Sequence, residues 1–257
     1  MVVVFQSAPP QRPQWMDDCL ASVQQWAAHH GFDYRFIGDE LFDLLPQSYR
    51  SKVADRGPIL ADLGRLQLLQ NHLQREGGQA LWLDADTLCV DIDWLPSLAV
   101  HSLFGEECWV QKNNKDRWQR YITPHNAFLA FTAGSPILPF LSHATESIIS
   151  RADTAHIAPQ MVGPKLIKAL HNLAPFCLLP AAGALSPALI SELTTTPAEA
   201  VACYQQGGRE PLAMVNLCAS LAMTADDHWQ RQRLADSATL LSPITDLAPK
   251  ATLKAMD

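Results

Sequence analysis

The spacing of apolar residues changes twice within the first forty residues, which predicts a strand, a helix and a second strand. The apolar run at residues 1–7 is typical of a buried strand, and residues 33–37 have the composition of another. Between them, residues 13–30 have helical periodicity and end at Gly31, as helices often do. The apolar stripe of this helix consists of Trp15, Cys19, Val23 and Trp26. A βαβ start implies a parallel sheet covered by helices.

The same pattern continues along the chain. A long helix is predicted at residues 58–75, followed by the helix-breaking pair Gly77-Gly78 and a buried strand at residues 79–83. Further strands are predicted at 107–111, 126–132, 175–180 and 212–217, and further helices at 136–150 and 160–171. No linker divides the chain, so we predict one domain over residues 1–257, with its core in residues 1–220 and a helix plus a loosely packed tail in residues 225–257.

Composition and charge narrow the class of protein. The chain has 257 residues of which 48% are hydrophobic, enough for a sizeable core, and no apolar run approaches the ~20 residues that span a bilayer. The net charge of -7 argues against a nucleic-acid face. The six cysteines form no CxxC pair and have no zinc-finger spacing. Together with an N-terminus that does not resemble a signal peptide, this predicts a cytoplasmic protein with reduced cysteines and no transmembrane segment.

Candidate chemistry begins with Asp84-Ala85-Asp86, directly after the predicted strand at residues 79–83. Ligands of α/β sheets bind beyond the carboxyl ends of the strands, where both carboxylates could reach them. Such a pair suits a hard divalent cation that keeps open positions for phosphate oxygens, so an acidic protein could hold a diphosphate through the metal. The pattern alone is common, and we interpret its second copy, Asp91-Ile92-Asp93, as an edge turn.

The helix before this strand carries a charged pair beside its apolar stripe. Asp62 and Arg65 are three residues apart and share a face with Leu66, Leu69 and Leu73. One interpretation is an ion pair on the helix flank, worth a few tenths of a kcal/mol. The other is that the carboxylate and the guanidinium point into the ligand crevice and hold sugar hydroxyls.

Several motifs in order resemble a known family. Asp62-Leu63-Gly64-Arg65, Gly77-Gly78 and Leu83-Asp84-Ala85-Asp86 are similar to the signature of DXD-motif sugar transferases, namely glycosyltransferase family 32 and the related glucosylating toxins. Weaker similarities are found in the segments 126–130, 135–138 and 163–164, so the resemblance spans roughly residues 50–220. It implies a GT-A-type nucleotide-sugar-binding α/β fold, with a mixed, mostly parallel sheet flanked by helices.

The resemblance also implies roles for individual residues. Asp84 and Asp86 would be catalytic; Asp86 would ligate Mn²⁺ or Mg²⁺, and Asp84 would contact the metal or the nucleotide ribose. The donor sugar would be bound by Asp62, Arg65 and Asn126, and the base would be flanked by Gln6 and Ser7.

A further implied metal ligand departs from the family pattern. Asn216 replaces a histidine that family members often carry near the last core strand, and its carbonyl oxygen could still ligate the metal. The implied reaction moves a hexose from a nucleoside-diphosphate sugar, with UDP favoured, and retains the anomeric configuration. The acceptor is a glycan, a lipid-linked group or a protein, and a membrane-bound acceptor would place the protein peripherally at a membrane.

Two other functions stay open. Phosphatases of the haloacid dehalogenase superfamily also place Asp-x-Asp after an apolar strand, and Asp226-Asp227 could be their late acidic pair, but position 88 is Leu where that family has Thr or Val. A non-catalytic sugar-binding module on a transferase fold is the other, because Asn216 departs from the family pattern.

Acceptor specificity is expected to depend on two segments whose pattern predicts little. These are residues 38–57 and 105–125, and the second contains the densest basic loop, with Lys112, Lys115 and Arg117. The loop is either a solvated turn or a contact to the acceptor or a phosphate.

Overall fold

The computed structural model describes residues 1–54, 56–174, 176–206 and 208–236, together with residues 244 and 247. Most of the tail predicted at residues 225–257 therefore lies outside the described residues, as does position 175, the first of the predicted strand 175–180.

A six-stranded mixed sheet forms the centre of the molecule. Its strands are β1 (Val2–Ser7), β2 (Asp33–Ile37), β3 (Gln79–Leu83), β5 (Ser102–Lys112), β6 (Trp118–Thr132) and β7 (Cys177–Leu179), in the order β2-β1-β3-β6-β5-β7. Only β6 runs against the other five strands. A small second sheet has the order β4-β9-β8, with β4 at Thr87–Cys89, β8 at Ala182–Ala184 and β9 at Met214–Asn216. The predicted mixed, mostly parallel sheet is confirmed.

Eight helices surround the sheets in the described part of the chain. They are α1 (Gln14–His29), α2 (Gln47–Lys52), α3 (Gly57–Glu76), α4 (Ile137–Arg151), α5 (Pro164–Leu173), α6 (Pro187–Thr194), α7 (Glu199–Gln205) and α8 (Ala225–Asp236). The predictions for α1, α3 and α4 are confirmed within two residues. The helix predicted at 160–171 begins later, because Pro164 occupies its first turn, where the missing N–H costs no hydrogen bond. Each of these helices is too short or too polar to cross a membrane.

Two long helices cover opposite faces of the central sheet. Alternate residues of β1 point to opposite faces: Phe5 packs in one cluster with Leu69 of α3, and Val4 packs in another with Trp26 of α1. All four side chains are at most 2% exposed. The predicted apolar stripes are therefore the contact faces, and they hold the carboxyl ends of β1 and β3 side by side.

Strands β5 and β6 are longer than predicted. They form a hairpin whose outer half, residues 106–112 and 118–124, extends beyond the register shift between Phe104 and Gly105. The sequence predicts only residues 107–111 of β5 and 126–132 of β6. Residues 118–124 of β6 are missed because they lie in the outer half, where one face is not covered by the core and carries polar residues. Continuous apolar runs are expected only where both faces of a strand are buried.

Candidate active site

Two cavities meet at the carboxyl end of β3, and Asp84 and Asp86 line both of them. The first, here called the polar cavity, measures about 470 Å³. Its remaining lining includes Glu107, Thr123, Asn126, Lys168 and Asn216. The second, here called the apolar cavity, measures about 440 Å³. Its remaining lining includes Ser7, Pro9, Met16, Phe42, Pro58 and Arg65. The two carboxylates thus lie at the junction of two spaces, each within the size range of small-molecule pockets.

A tight turn brings both carboxylates to this junction. The Asp84 N–H still pairs with the Ala127 carbonyl, at 2.9 Å, as the last bond of the β3 ladder. The Thr87 N–H then donates to the Asp84 carbonyl at 3.0 Å, so the chain turns back into β4. In a continuous strand the side chains of Asp84 and Asp86 would also lie on one face, but Asp86 would lie two positions farther along the strand than Asp84. Because of the turn, both carboxylates lie at the carboxyl end of β3, which is where the sequence predicts them.

Arg65 fixes Asp84 from α3. One guanidinium nitrogen donates to Asp84 Oδ1 and to the Asn126 carbonyl, both at 2.9 Å. The Trp82 indole N–H also donates to Asp84 Oδ1, at 2.6 Å, and the guanidinium carbon lies 5.2 Å from the centre of the Trp82 ring. Because the Arg65 side chain is only 8% exposed, this ion pair is screened less than a surface pair. The predicted buried Trp82 is therefore also a hydrogen-bond donor to the site.

Asp62 lies behind Arg65 and lines neither of the two cavities. Its carboxylate accepts a hydrogen bond from the Asn126 amide at 2.7 Å and lies 3.5 Å from Arg65. Burial raises the pKa of Asp62 to about 6, although the charge of Arg65 acts in the opposite direction. A Cβ on Gly163 would lie 2.6 Å from an Asp62 oxygen, so a larger residue there would displace the Asp62 carboxylate. Asp62 thus positions Arg65 and Asn126 in this structure, and its predicted contact with a donor sugar stays a prediction.

The two residues predicted to flank the base lie in different surroundings. Gln6 is fully buried, and its amide donates to the Asp84 carbonyl at 3.1 Å and accepts from the Tyr34 hydroxyl at 3.0 Å. Ser7 lines the apolar cavity. Gln6 therefore supports the turn after β3 from behind, whereas Ser7 is open to a ligand.

Asp86 is held by the segment after β9. Pairing of β4 with β9 places Asn216 opposite Thr87, and the Asn216 amide donates to Asp86 Oδ1 at 2.6 Å. The Ala219 N–H donates to Asp86 Oδ2, also at 2.6 Å. Burial and then the charge of Asp84 raise the pKa of Asp86 to about 6. The side-chain amide oxygen Oδ1 of Asn216 accepts from the Cys218 N–H at 2.8 Å, so the amide points its NH₂ group, not its oxygen, at Asp86.

The oxygen atoms at this junction fit a hard divalent cation that is coordinated partly by the protein and partly by a phosphate-bearing ligand. Two carboxylates converge, Asp84 Oδ2 accepts no hydrogen bond from the described residues, and no lysine or arginine among them pairs with Asp86. Mg²⁺ is commonly bound by one or two carboxylates plus phosphate oxygens. No cluster of three or more His, Cys, Asp or Glu side chains suited to a metal is found among the described residues. Ligation by Asn216 would require its amide to turn over.

The competing acidic motifs lie elsewhere. Asp93 is 82% exposed and pairs with His29, and its N–H donates to Asp91 within a turn, as predicted for the second Asp-x-Asp. Asp227 accepts hydrogen bonds from Thr224 at the start of α8 and lines neither cavity. The basic loop forms the tip of the β5–β6 hairpin, where Lys112 pairs with Asp116.

Several residues of the polar cavity are absent from the predicted site. They are Glu107, Trp109, Tyr121, Thr123 and Lys168. The segment 105–125 is expected to determine acceptor specificity, but only its basic residues Lys112, Lys115 and Arg117 stand out in the sequence. The alternation of Glu107, Trp109 and Gln111 along a predicted strand could have placed these three on one face.

Comparisons with known proteins identify the fold. No protein-family model matches the chain, and no curated protein sequence is significantly similar to it. Among solved structures, a glycosyltransferase involved in glycosylation of the major capsid of PBCV-1 is similar over 91% of this chain and 98% of its own, with 11% identity and a TM-score of 0.53. The galactosyltransferase LgtC, in complex with donor and acceptor sugar analogs, is matched over 94% of this chain and 97% of its own, with 14% identity and a TM-score of 0.45.

At this level of identity the first likeness concerns the fold alone. The match covers nearly all of both chains, and this chain has a mixed, mostly parallel sheet with helices on both faces. The protein therefore has the α/β fold of GT-A glycosyltransferases.

Proposed function

We propose that the protein is a divalent-metal-dependent glycosyltransferase that moves a hexose from a nucleoside-diphosphate sugar, preferably a UDP-sugar, to an acceptor. The observation that carries this proposal is the junction at Asp84 and Asp86, where two carboxylates at the end of a buried strand separate an apolar cavity from a polar one. The similarity of residues 62–86 to retaining sugar transferases supports retention of configuration. The fold agrees with the same reaction class.

In the proposed complex, the nucleoside lies in the apolar cavity beside Ser7, and the diphosphate lies at the junction. Asp84 and Asp86 would hold Mn²⁺ or Mg²⁺, and the bound cation would supply stabilisation of the negative charge that develops on the departing diphosphate. Arg65 orients Asp84 through a hydrogen bond, and Asn216 with the Ala219 N–H fixes Asp86. Because these hydrogen bonds already orient both carboxylates, the site needs little reorganisation when the donor binds.

The transfer takes place at the mouth of the polar cavity. The anomeric carbon exchanges its bond to the diphosphate oxygen for a bond to the acceptor oxygen. The diphosphate leaves with the bonding electrons, and the acceptor hydroxyl releases one proton. Lys168 is the one lysine or arginine among the described residues that lines this cavity, so it is the cation best placed to attract the departing diphosphate.

The two alternatives are less well supported. A dehalogenase-type phosphatase needs a late acidic pair near its nucleophile, and neither Asp226 nor Asp227 lines the cavities that Asp84 and Asp86 share. A non-catalytic sugar-binding module is favoured only by Asn216, whose amide already stabilises Asp86 as a hydrogen-bond donor.

The experiment is a donor-turnover assay on matched aspartate variants. Release of nucleoside diphosphate from UDP-glucose, UDP-galactose, UDP-N-acetylglucosamine and GDP-mannose is measured with Mn²⁺, with Mg²⁺ and with EDTA. The wild-type protein should turn over at least one donor with metal and none with EDTA. Asp86→Asn should reduce this turnover by about 100-fold or more. Asp93→Asn, the same change in the exposed second copy, should leave it within about twofold of wild type.

Each alternative has its own outcome in this assay. Equal turnover in wild type and Asp86→Asn would contradict the proposed site. Hydrolysis of p-nitrophenyl phosphate without any donor turnover would favour the phosphatase. Metal-dependent binding of a nucleotide sugar without release of the diphosphate would favour the non-catalytic module.

A further inference from the structure

The outer half of the β5–β6 hairpin has two unequal faces. On one face, Cys108 and Val110 are at most 2% exposed and pack in a cluster with Tyr204 of α7. On the other face, residues stand in cross-strand pairs that are half-buried or exposed. These pairs are Glu107 with Thr123, Trp109 with Tyr121, and Gln111 with Gln119.

This open face forms a wall of the polar cavity. Glu107, Trp109, Gln111, Tyr121 and Thr123 all line it. When an antiparallel sheet packs on one face only, its other face is usually polar and solvated. Here the open face instead carries a tryptophan opposite a tyrosine, both half-buried, in the cavity that contains Asp84 and Asp86. Half-buried aromatic side chains with a few polar groups are typical of ligand pockets.

The aromatic pair is held in place by its neighbours. The Trp109 indole N–H donates to Gln111 at 3.1 Å, and the Tyr121 hydroxyl donates to Gln119 at 3.3 Å. The Thr123 hydroxyl donates to one Glu107 carboxylate oxygen at 2.7 Å. The second Glu107 oxygen and the Gln111 NH₂ group make no hydrogen bond within the described part of the chain. The wall therefore offers fixed aromatic rings flanked by one strong acceptor and one donor.

The charge of the cavity favours a neutral occupant. Asp84, Asp86 and Glu107 line it, against Lys168 alone among the described lysines and arginines. Beside the two aspartates, a metal would offset the negative charge, but Glu107 lies on the hairpin wall and would repel an anionic ligand there. A sugar ring is neutral, has an apolar C–H face that stacks on an aromatic ring, and has hydroxyls that both donate and accept hydrogen bonds.

We propose that Trp109 and Tyr121 bind the sugar ring of the acceptor, with Glu107 accepting a hydrogen bond from one of its hydroxyls. The acceptor is then a glycoside or glycan, and the ring is recognised on the hairpin wall. The assignment of this ring as acceptor rests on the proposed function, because it depends on Asp84 and Asp86 binding the donor in the same cavity. The binding of a sugar at this wall does not depend on turnover and can be measured by itself.

The test is ligand-observed saturation-transfer NMR on the intact protein. The probes are the methyl glycosides of glucose, galactose, mannose and N-acetylglucosamine. The variants are Trp109→Ala, Trp109→Phe and Glu107→Gln. The matched control is Trp229→Ala, which removes a 51% exposed tryptophan from α8, outside the cavity. Circular dichroism establishes that each variant is folded, and Glu107→Gln provides the answer if Trp109→Ala is not.

Wild type and Trp229→Ala should bind at least one of the four glycosides. Trp109→Ala and Glu107→Gln should bind it at least about tenfold more weakly, which is a loss of about 1.4 kcal/mol, and Trp109→Phe should retain most of the affinity. Equal affinity in wild type and the two weakened variants, or no binding of any of the four probes to wild type, would overturn the inference.

The donor-turnover assay separates this inference from the proposed function. If Trp229→Ala keeps donor hydrolysis and transfer within about twofold of wild type while Trp109→Ala loses transfer to the bound glycoside, both proposals are supported. If wild type binds the glycoside at Trp109 but turns over no donor, the proposed function fails and the sugar site stands. If the donor is turned over and Trp109→Ala transfers to the glycosides with an unchanged KM, the sugar site fails alone.

Discussion

The two Asp-x-Asp copies of this chain have nearly the same local sequence and very different surroundings. In the first, Asp84 accepts hydrogen bonds from Arg65 and Trp82, and Asp86 accepts them from Asn216 and the Ala219 N–H. In the second, Asp93 is 82% exposed and forms an ion pair with the half-exposed His29. The tripeptide therefore does not make a site by itself. A site also requires the buried strand before the tripeptide and the hydrogen-bond donors that long-range pairing places against its carboxylates.

The largest expected difference is in the free energy of unfolding when the basic side chain paired with each Asp-x-Asp copy is removed. Arg65→Met leaves Asp62 buried and Asp84 half-buried without their guanidinium, and loss of one partner of a buried ion pair costs about 3–5 kcal/mol. His29→Gln removes the partner of the exposed Asp93, and we expect a cost of at most about 1 kcal/mol. Urea unfolding followed by circular dichroism measures both free energies.

A small change in the free energy of unfolding of Arg65→Met would contradict this difference between the two copies. If both variants unfold with the same free energy as wild type, then the network around the first copy is no more fixed than the surface pair at the second. The double variant Asp62→Asn/Arg65→Met provides the control, because removing both charges should recover part of the lost stability.

The second prediction concerns pH and the buried Asp62. Burial raises its pKa from 3.8 to about 6, so the folded state binds this proton more tightly than the unfolded state. The stability that the protonated group contributes is complete below pH 4 and is lost as the pH rises through 6. Because a tenfold change in proton affinity is worth about 1.4 kcal/mol, the expected loss is about 3 kcal/mol or less.

The measurement is the free energy of unfolding of wild type and Asp62→Asn between pH 4 and pH 7.5. The free energy of unfolding of wild type should fall relative to that of Asp62→Asn as the pH rises across this window, since asparagine has no proton to lose. A constant difference between the two proteins would show that Asp62 does not titrate in this range, contrary to the burial described above.

The smallest expected effect concerns the backbone that packs on Asp62. In Gly163→Ala the new methyl group would lie 2.6 Å from an Asp62 oxygen, so we expect a loss of about 1–3 kcal/mol together with lower donor affinity. Gly57→Ala is the matched control, because a methyl group there meets no atom within 4 Å. Equal thermal stability of the two variants would mean that Asp62 can move away freely and does not hold Arg65.

Much of the first copy's framework can be predicted from the sequence. The apolar run of β3, the double glycine before it and the stripe on α3 all have strong local patterns, so the strand end and the approach of Arg65 follow from them. The fold class follows as well, because the βαβ start and the long helices set the layers of the sheet.

The rest depends on contacts that no local pattern encodes. Gln6 and Asp62 are polar residues whose burial becomes visible only when Tyr34, Asn126 and Gly163 pack against them. Strands β4 and β8 have three residues each, too few for a period to appear, whereas β9 lies within the predicted strand 212–217 although its pairing could not be predicted. These strands bring Asn216 to Asp86, and the open hairpin face brings Trp109 into the cavity, through long-range pairing alone.

The most direct test of the central claim is the binding of UDP measured by isothermal titration calorimetry, with Mn²⁺ and with EDTA, in wild type, Asp86→Asn and Asp93→Asn. If Asp84 and Asp86 hold a metal that binds a diphosphate, wild type and Asp93→Asn bind UDP with Mn²⁺ and lose at least about tenfold in affinity with EDTA, whereas Asp86→Asn binds weakly in both conditions. UDP binding that is equal with and without the metal, or unchanged by Asp86→Asn, would contradict the account.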